Sequence, residues 1–254
     1  MRLIKTLEEI KGIKKANQII AKIYEDIIPP YLKPGISTSE IDKIIEDYIR
    51  SCGARPACIG VPGYKGAFPC ATCISVNEEV VHGVPGNRII KNGDIVSIDI
   101  VTELNGFYGD CAKTFAIGEV DEVSKKLLDV TEKSREIGIS NAVSGNRIGD
   151  IGHSIQKYVE SNGFSVVRDF AGHGVGLALH EDPMVPNFGR SGRGLKIENG
   201  MVLAIEPMVN VGTYKVAILD DGWTVVTLDG KRSSHFEHSI AIIDGKAEIL
   251  SLLD

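Results

Sequence analysis

The sequence predicts an α+β fold made of two related halves that face each other about an approximate twofold axis. Two matched stretches lead to this. Ile41, Ile45, Tyr48, Ile49, Ser51 and Gly53 return 110 residues later as Ile151, Ile155, Tyr158, Val159, Ser161 and Gly163. The apolar run DIVSIDIV after Asn92-Gly93 returns as MVLAIEPMV after Asn199-Gly200, at an offset of 107 that superposes Asp99 on Glu206. Elements repeated in the same order at nearly one offset argue for duplication over chance similarity between short amphipathic segments. The 254 residues therefore read as one domain with an internal repeat, approximately 7–118 and 119–250.

The first helix starts at Thr6, where Thr6-x-x-Glu9 can close a capping box. Ile10, Ile13, Ile20, Ile23 and Ile27 follow near helical spacing, and Pro29-Pro30 ends the helix. Ser37-x-x-Glu40 caps a second helix, whose apolar face carries Ile41, Ile44, Ile45, Tyr48 and Ile49 and which Gly53 closes. Gly35 before it is matched by Gly145 before its counterpart, and a helix-period segment around 122–143 stands where the first helix stands in the other half. DIVSIDIV is apolar and β-branched, as a buried strand is. Asn105-Gly106 then signals a tight hairpin into a second strand around DCAKTFAI.

Composition excludes several classes of function. Lys and Arg number 28 against 34 Asp and Glu, a net charge of −6 with no basic run, which disfavours a nucleic-acid partner. No apolar run approaches the ~20 residues that span a membrane. The N-terminus, MRLIKTLEEIKGIKK, turns amphipathic at once and lacks the apolar stretch of a signal peptide, which places the protein in the cytoplasm. Five cysteines, an odd number, fit reduced thiols there, and the single CxxC of Cys70 and Cys73 is read as non-metal.

Four acids break the apolar pattern. Asp99 sits inside DIVSIDIV, Asp110 in the following strand, Glu206 in MVLAIEPMV, and Glu237 just before SIAII. One acid in a strand is most simply an edge residue or half of a salt bridge. Four at equivalent places in two halves would repel one another and destabilise the fold unless cations held them. His173, in AGHGVGLALHEDP, adds one nitrogen. A carboxylate-rich set of this kind suits Mn or Fe as well as Co or Zn and differs from a structural zinc cage. HEDPM is no HExxH motif, because Met184 replaces the second histidine and Pro183 opposes the helix.

The segments SIDIVTELNGFYGDCAKTF, AGHGVGLALHEDP, VLAIEPM and HFEHSIAI, with YLKPGISTSEID and CISVNEEVVHGVP, resemble type I methionine aminopeptidases over nearly the whole chain. The resemblance implies the pita-bread fold, two pseudo-twofold-related halves with antiparallel sheet covered by helices. It places Asp99, Asp110, His173, Glu206 and Glu237 on five ligands to two divalent metal ions (Co, Mn, Fe, Zn or Ni), with Asp110 and Glu237 bridging. Glu206 is also implied as proton acceptor and shuttle. His82 and His180 fall on the two active-site histidines that bind substrate without ligating metal. Cys58, Tyr64, Cys73 and Trp223 are implied to line the methionine pocket.

The chain departs from the pattern in a few extra residues between Cys58 and Cys73, which leave Phe68 as a further pocket candidate, and in Leu179 where an aromatic is common. It shows no zinc-binding N-terminal extension. His153 and His235 read as surface or structural residues, His238 as a support for Glu237, and Asp94, Glu103 and Asp182 as solvated charges. The implied activity is removal of N-terminal methionine from peptides and nascent proteins when the second residue is small. Association with the ribosome and a monomeric state are further expectations. The alternatives are a proline-specific aminopeptidase of the same fold and a homologue that binds without catalysis.

Overall fold

A computed structural model of the chain describes residues 2–63 and 65–253. Tyr64, one of the implied pocket residues, lies outside the described residues.

Helix α1 (Leu7–Lys22) opens on the Thr6–Glu9 capping box and buries Ile10, Ile13 and Ile20. It does not run on as α-helix to the prolines. Residues Ile23–Ile27 form a π turn, in which Ile28 N–H reaches back to Ile23 O at 2.9 Å, and Pro29–Tyr31 a 3₁₀ turn. A π turn takes up an extra residue, so the core side chain at this end is Ile28, fully buried, while Ile27 is only half-buried. Helix α2 (Thr38–Ser51) has the Ser37–Glu40 capping box and buries Ile41, Ile45 and Ile49, with Ile44 and Tyr48 at the edge of the same cluster. Gly53, at φ +73°, closes it in the left-handed region. Removing a side chain such as Ile45 would cost about 2–5 kcal/mol. Helices α3 (Glu122–Asn141) and α4 (Ile148–Ser161) repeat the arrangement in the second half.

The strands that matter here form two antiparallel sheets. In the first, β1 (Arg55–Pro56), β2 (Thr72–Val76), β3 (Ile95–Leu104) and β4 (Phe107–Ala116) are arranged around β3. One edge of β3 pairs with β4 along its whole length, and the other with β2 and then β1. In the second, β5 (Gly172–Gly174), β6 (Glu181–Val185), β7 (Val202–Ile205), β8 (His238–Ile243) and β9 (Lys246–Ile249) lie in the order β6-β5-β7-β8-β9. A cluster of Ile41, Ile45, Ile74, Ile98 and Ile100 packs α2 on the first sheet, and one of Leu127, Ile151, Ile155, Leu203 and Ile240 packs α3 and α4 on the second. The sheets meet where Glu237 N–H donates to Ala112 O (2.8 Å) and Ser239 Oγ to Asp110 O (2.7 Å). Helix α1 lies close on β4: a Cβ at Gly109 would stand 2.6 Å from Asn17 N, so only glycine permits that approach.

Candidate metal centre and active site

Register decides how the acids meet. Asn105 and Gly106 both have positive φ (53° and 82°) and make the two-residue turn between β3 and β4. Val101 then opposes Asp110, and Asp99 opposes Ala112. Asp99 and Val101 share a face, so Asp99 and Asp110 are diagonal neighbours on it. In the second half Ile205 opposes His238, which puts Glu206 and Glu237 side by side just past the last paired residues. The contact between the sheets brings the two acid pairs together.

His173 projects from β5 between two glycines. A Cβ at Gly172 would lie 2.3 Å from Ala204 O, and one at Gly174 2.2 Å from Asp182 O, so the flanking strands close tightly on the histidine backbone. His173 Nε2 is 3.6 Å from Asp110 Oδ2 and 3.5 Å from Glu206 Oε1. Its Nδ1 is 2.9 Å from Gly174 O, an atom that only accepts, so Nδ1 carries the hydrogen and Nε2 keeps a free lone pair. Asp110, His173 and Glu237 can each present one ligand atom, all within 4.8 Å of one another.

The electrostatics ask for a cation. Burial raises Asp99 to about 6 and Glu206 to about 7. Burial first, and then the neighbouring acids, pushes Asp110 and Glu237 well above the usual carboxylate range. Asp99 Oδ1 and Glu237 Oε1 are buried with no hydrogen-bond partner among the described residues. Orphaned carboxylate oxygens are costly in protein alone and become ligands beside a metal. One imidazole and several carboxylates form a donor set that divalent transition metals accept.

Three further histidines lie in this region: His82 and His180 line the cavity that the acids line, and His235 meets Glu206. His180 stands with its ring centroid 4.4 Å from that of His173. His82, at φ +56°, meets Phe170 and Trp223 edge to face, and burial lowers its pKa to about 4. The third is His235. His153 is exposed, as a surface residue should be, but His235 is buried, with Nε2 3.5 Å from Glu206 Oε2 and without a hydrogen-bond partner for that nitrogen among the described residues. Its place two residues before Glu237 was the available signal, since alternate residues of an extended chain share a face. His238 faces the other way. Its Nδ1 meets Ser251 Oγ at 2.8 Å, and burial, with the charges of Arg135 and Lys113, holds its pKa down. Asp94 and Glu103 serve the backbone and Arg55 away from the centre.

A cavity of ≈ 690 Å³ runs from the acids to an apolar end walled by Cys58, Phe68, Cys73, Leu179 and Trp223. Cys73 is opposite Asp99 across β2 and β3. Phe68 is buried with its ring edge-on to Trp223 at 5.1 Å, and so belongs to the wall. Phe170, Met208 and the exposed Met184, which sequence reasoning did not single out, also line the cavity.

Residues 11–244 match the profile of metallopeptidase family M24. The chain belongs to this family. Within M24 it is 51% identical to the methionine aminopeptidase of Clostridium perfringens over 253 residues, 100% of both chains. It is 49% identical to methionine aminopeptidase 1 of Bacillus subtilis, over 99% of each. The crystal structure of methionine aminopeptidase from Rickettsia prowazekii superposes with a TM-score of 0.95, at 38% identity, over 99% of this chain and 100% of that one. The prolidase from Pyrococcus horikoshii shares the fold alone: TM-score 0.78 at 21% identity, over 65% of that chain. The architecture is the pita-bread fold of M24, and membership of a metallopeptidase family implies divalent metal, for which the Asp110–His173–Glu237 group could provide ligands. No helix among the described residues is long and apolar enough to cross a membrane.

Proposed function

We propose that this M24 protein is a methionine aminopeptidase, releasing N-terminal methionine from peptides and nascent proteins when the second residue is small. The observation that carries this is the junction of a buried carboxylate–histidine cluster with a cavity end lined by sulfur and aromatic groups, on a chain that aligns end to end with enzymes of that name. A flexible, polarizable thioether packs well against such walls. Residues 1–254 act as one catalytic domain, with repeats approximately 7–118 and 119–250.

Asp99, Asp110, His173, Glu206 and Glu237 would hold two divalent ions, drawn from Co, Mn, Fe, Zn or Ni, with Asp110 and Glu237 reaching both. Bound there, the ions supply a Lewis acid and an acidified water. Glu206 takes up and returns the proton that this chemistry moves. His180 hydrogen-bonds the scissile carbonyl as negative charge grows on its oxygen. His82, held neutral by burial, contacts the scissile amide nitrogen or the substrate backbone. Cys58, Tyr64, Phe68, Cys73 and Trp223 receive the methionine side chain. The substrate's free α-amine meets the acidic end of the cavity, which selects an aminopeptidase over an endopeptidase. Action in the cytoplasm as a monomer, and association with the ribosome, complete the proposal.

A panel of Met-Xaa-Ser tripeptides, assayed on apoenzyme titrated with Mn, Fe, Co or Zn, tests it. Fast cleavage is expected before Gly, Ala, Ser, Cys, Thr, Pro or Val and poor cleavage before Leu, Lys, Arg or Glu. A clash of ~3–4 kcal/mol in the transition state would separate the two groups by orders of magnitude. Equal rates for Met-Ala and Met-Lys substrates overturn the pocket, rapid cleavage of Leu-Ala overturns methionine specificity, and preference for Ala-Pro returns the proline-specific alternative. An inactive chain that still binds metal would be the binding homologue.

A further inference from the structure

The loop that carries Leu179 and His180 is tied down by a buried ion pair that none of the roles above uses. Lys5 Nζ lies 2.6 Å from Glu181 Oε2, and each side chain is only 1% exposed. The ammonium is also within reach of Arg2 O (3.2 Å) and Leu3 O (3.5 Å), and Lys5 N–H donates to Gly200 O (2.8 Å). The arm before α1 is therefore fastened to the second half of the molecule. The other oxygen of Glu181 faces the loop: Oε1 accepts from Leu177 N–H (2.6 Å) and Ala178 N–H (2.9 Å). Among the described residues, no other side chain hydrogen-bonds the backbone of 177–180.

A buried Lys–Glu pair is a poor way to gain stability. Desolvating both charges costs several kcal/mol each, and apolar residues of similar size often do as well. What the pair does provide is direction. The carboxylate reaches back to the residues three and four before it and closes the loop on itself, with His180 inside the closed segment and its ring against that of His173. The ammonium fixes that carboxylate from an element 176 residues away.

We infer that Glu181 and Lys5 are positioning residues for His180: they set where its ring stands over the metal centre. This rests on the reading that His180 hydrogen-bonds the scissile carbonyl. Small displacements of such a group are expensive in rate, because the bond must be aimed at the oxygen as charge develops.

The test uses the metal-loaded full chain and Met-Ala-Ser. Lys5→Met should lower kcat by about tenfold or more with KM and metal content little changed. It should also speed hydrogen exchange of the Leu177 and Ala178 amides. In a His180→Ala background the same substitution should cause no further loss of kcat. Lys5→Met/Glu181→Gln removes both charges while keeping an amide oxygen for the loop; it should fold with a Tm near that of the parent and still lose kcat. Equal losses with and without His180 would make the pair a general structural support and overturn the inference. So would a parental kcat in either folded variant of an active chain, which leaves the functional reading standing. Failure of the unsubstituted chain to cleave Met-Ala-Ser would overturn that reading, and this inference with it.

Discussion

Nε2 of His235 lies 3.5 Å from Oε2 of Glu206, and that nitrogen has no hydrogen-bond partner among the described residues. Glu206 thus has a histidine on each oxygen, since His173 Nε2 is 3.5 Å from its Oε1. If the N–H of His235 steers the carboxylate, an amide N–H at the same reach should substitute for it. His235→Gln is expected to keep most of the activity, and His235→Leu to lower kcat by roughly tenfold or more, as the loss of a polar contact to a charged group does. Equal kcat values for the two variants would remove His235 from the machinery.

Asp110 and Glu237 are the most deeply buried acids of the centre, at 4% and 2% exposure, and both are held well above normal carboxylate pKa values by burial and then by neighbouring acids. Asp110→Asn or Glu237→Gln should abolish cleavage of Met-Ala-Ser and weaken metal binding, measured as metal retained after dialysis. Because each substitution also relieves repulsion, the metal-free variants should be no less stable than the metal-free parent. Full activity in either variant would sink the proposed site.

His82 and His180 stand beside the acids without joining the ligand group. Alanine at either position should reduce turnover by about 10²–10⁴-fold, the range for a lost general acid–base or oxyanion partner, with metal content unchanged. Loss of metal would mean that the residue is a ligand.

The burial of His82 sets a pH dependence of stability. Its folded pKa is about 4 against the ordinary histidine value of 6.5. Between those values the unfolded chain binds more protons than the folded one, so this group makes stability rise with pH from about 4 to 6.5 and adds nothing further above. The contribution lost on acidifying through that window is on the order of 3 kcal/mol. His82→Phe should flatten the corresponding part of the Tm-against-pH curve relative to the parent. Identical curves would show that His82 titrates normally.

Gly63 packs on Trp223 so closely that an added Cβ would fall 2.2 Å from Cζ2 of the indole. Gly63→Ala should displace the ring from the pocket wall, raising KM for Met-Ala-Ser by roughly tenfold while kcat changes less, the signature of lost ground-state binding. Trp223 is the only tryptophan, so its fluorescence reports the displacement directly. An unshifted spectrum with a parental KM would refute the packing argument.

The sequence by itself determined whatever depends on near neighbours. Thr6–Glu9 and Ser37–Glu40 close their capping boxes through backbone groups three residues away, and Asn105-Gly106 makes its turn because those residues tolerate positive φ. The matched helical and strand segments, and the placing of acids where apolar residues belong, were equally legible as patterns. Only the tertiary structure decided which of these groups touch. The Asn105-Gly106 turn sets Asp99 and Asp110 on one face of the sheet, but no local signal tells which acids of the second half meet that face. The π turn that buries Ile28 in place of Ile27 answers to the prolines and the core together. His235 and His238 are three residues apart and chemically alike. One meets Glu206 and the other Ser251, because each lies where the junction of two sheets puts it. Lys5 and Glu181 could be paired only by folding, since the attraction that joins them acts across space between segments the chain keeps far apart.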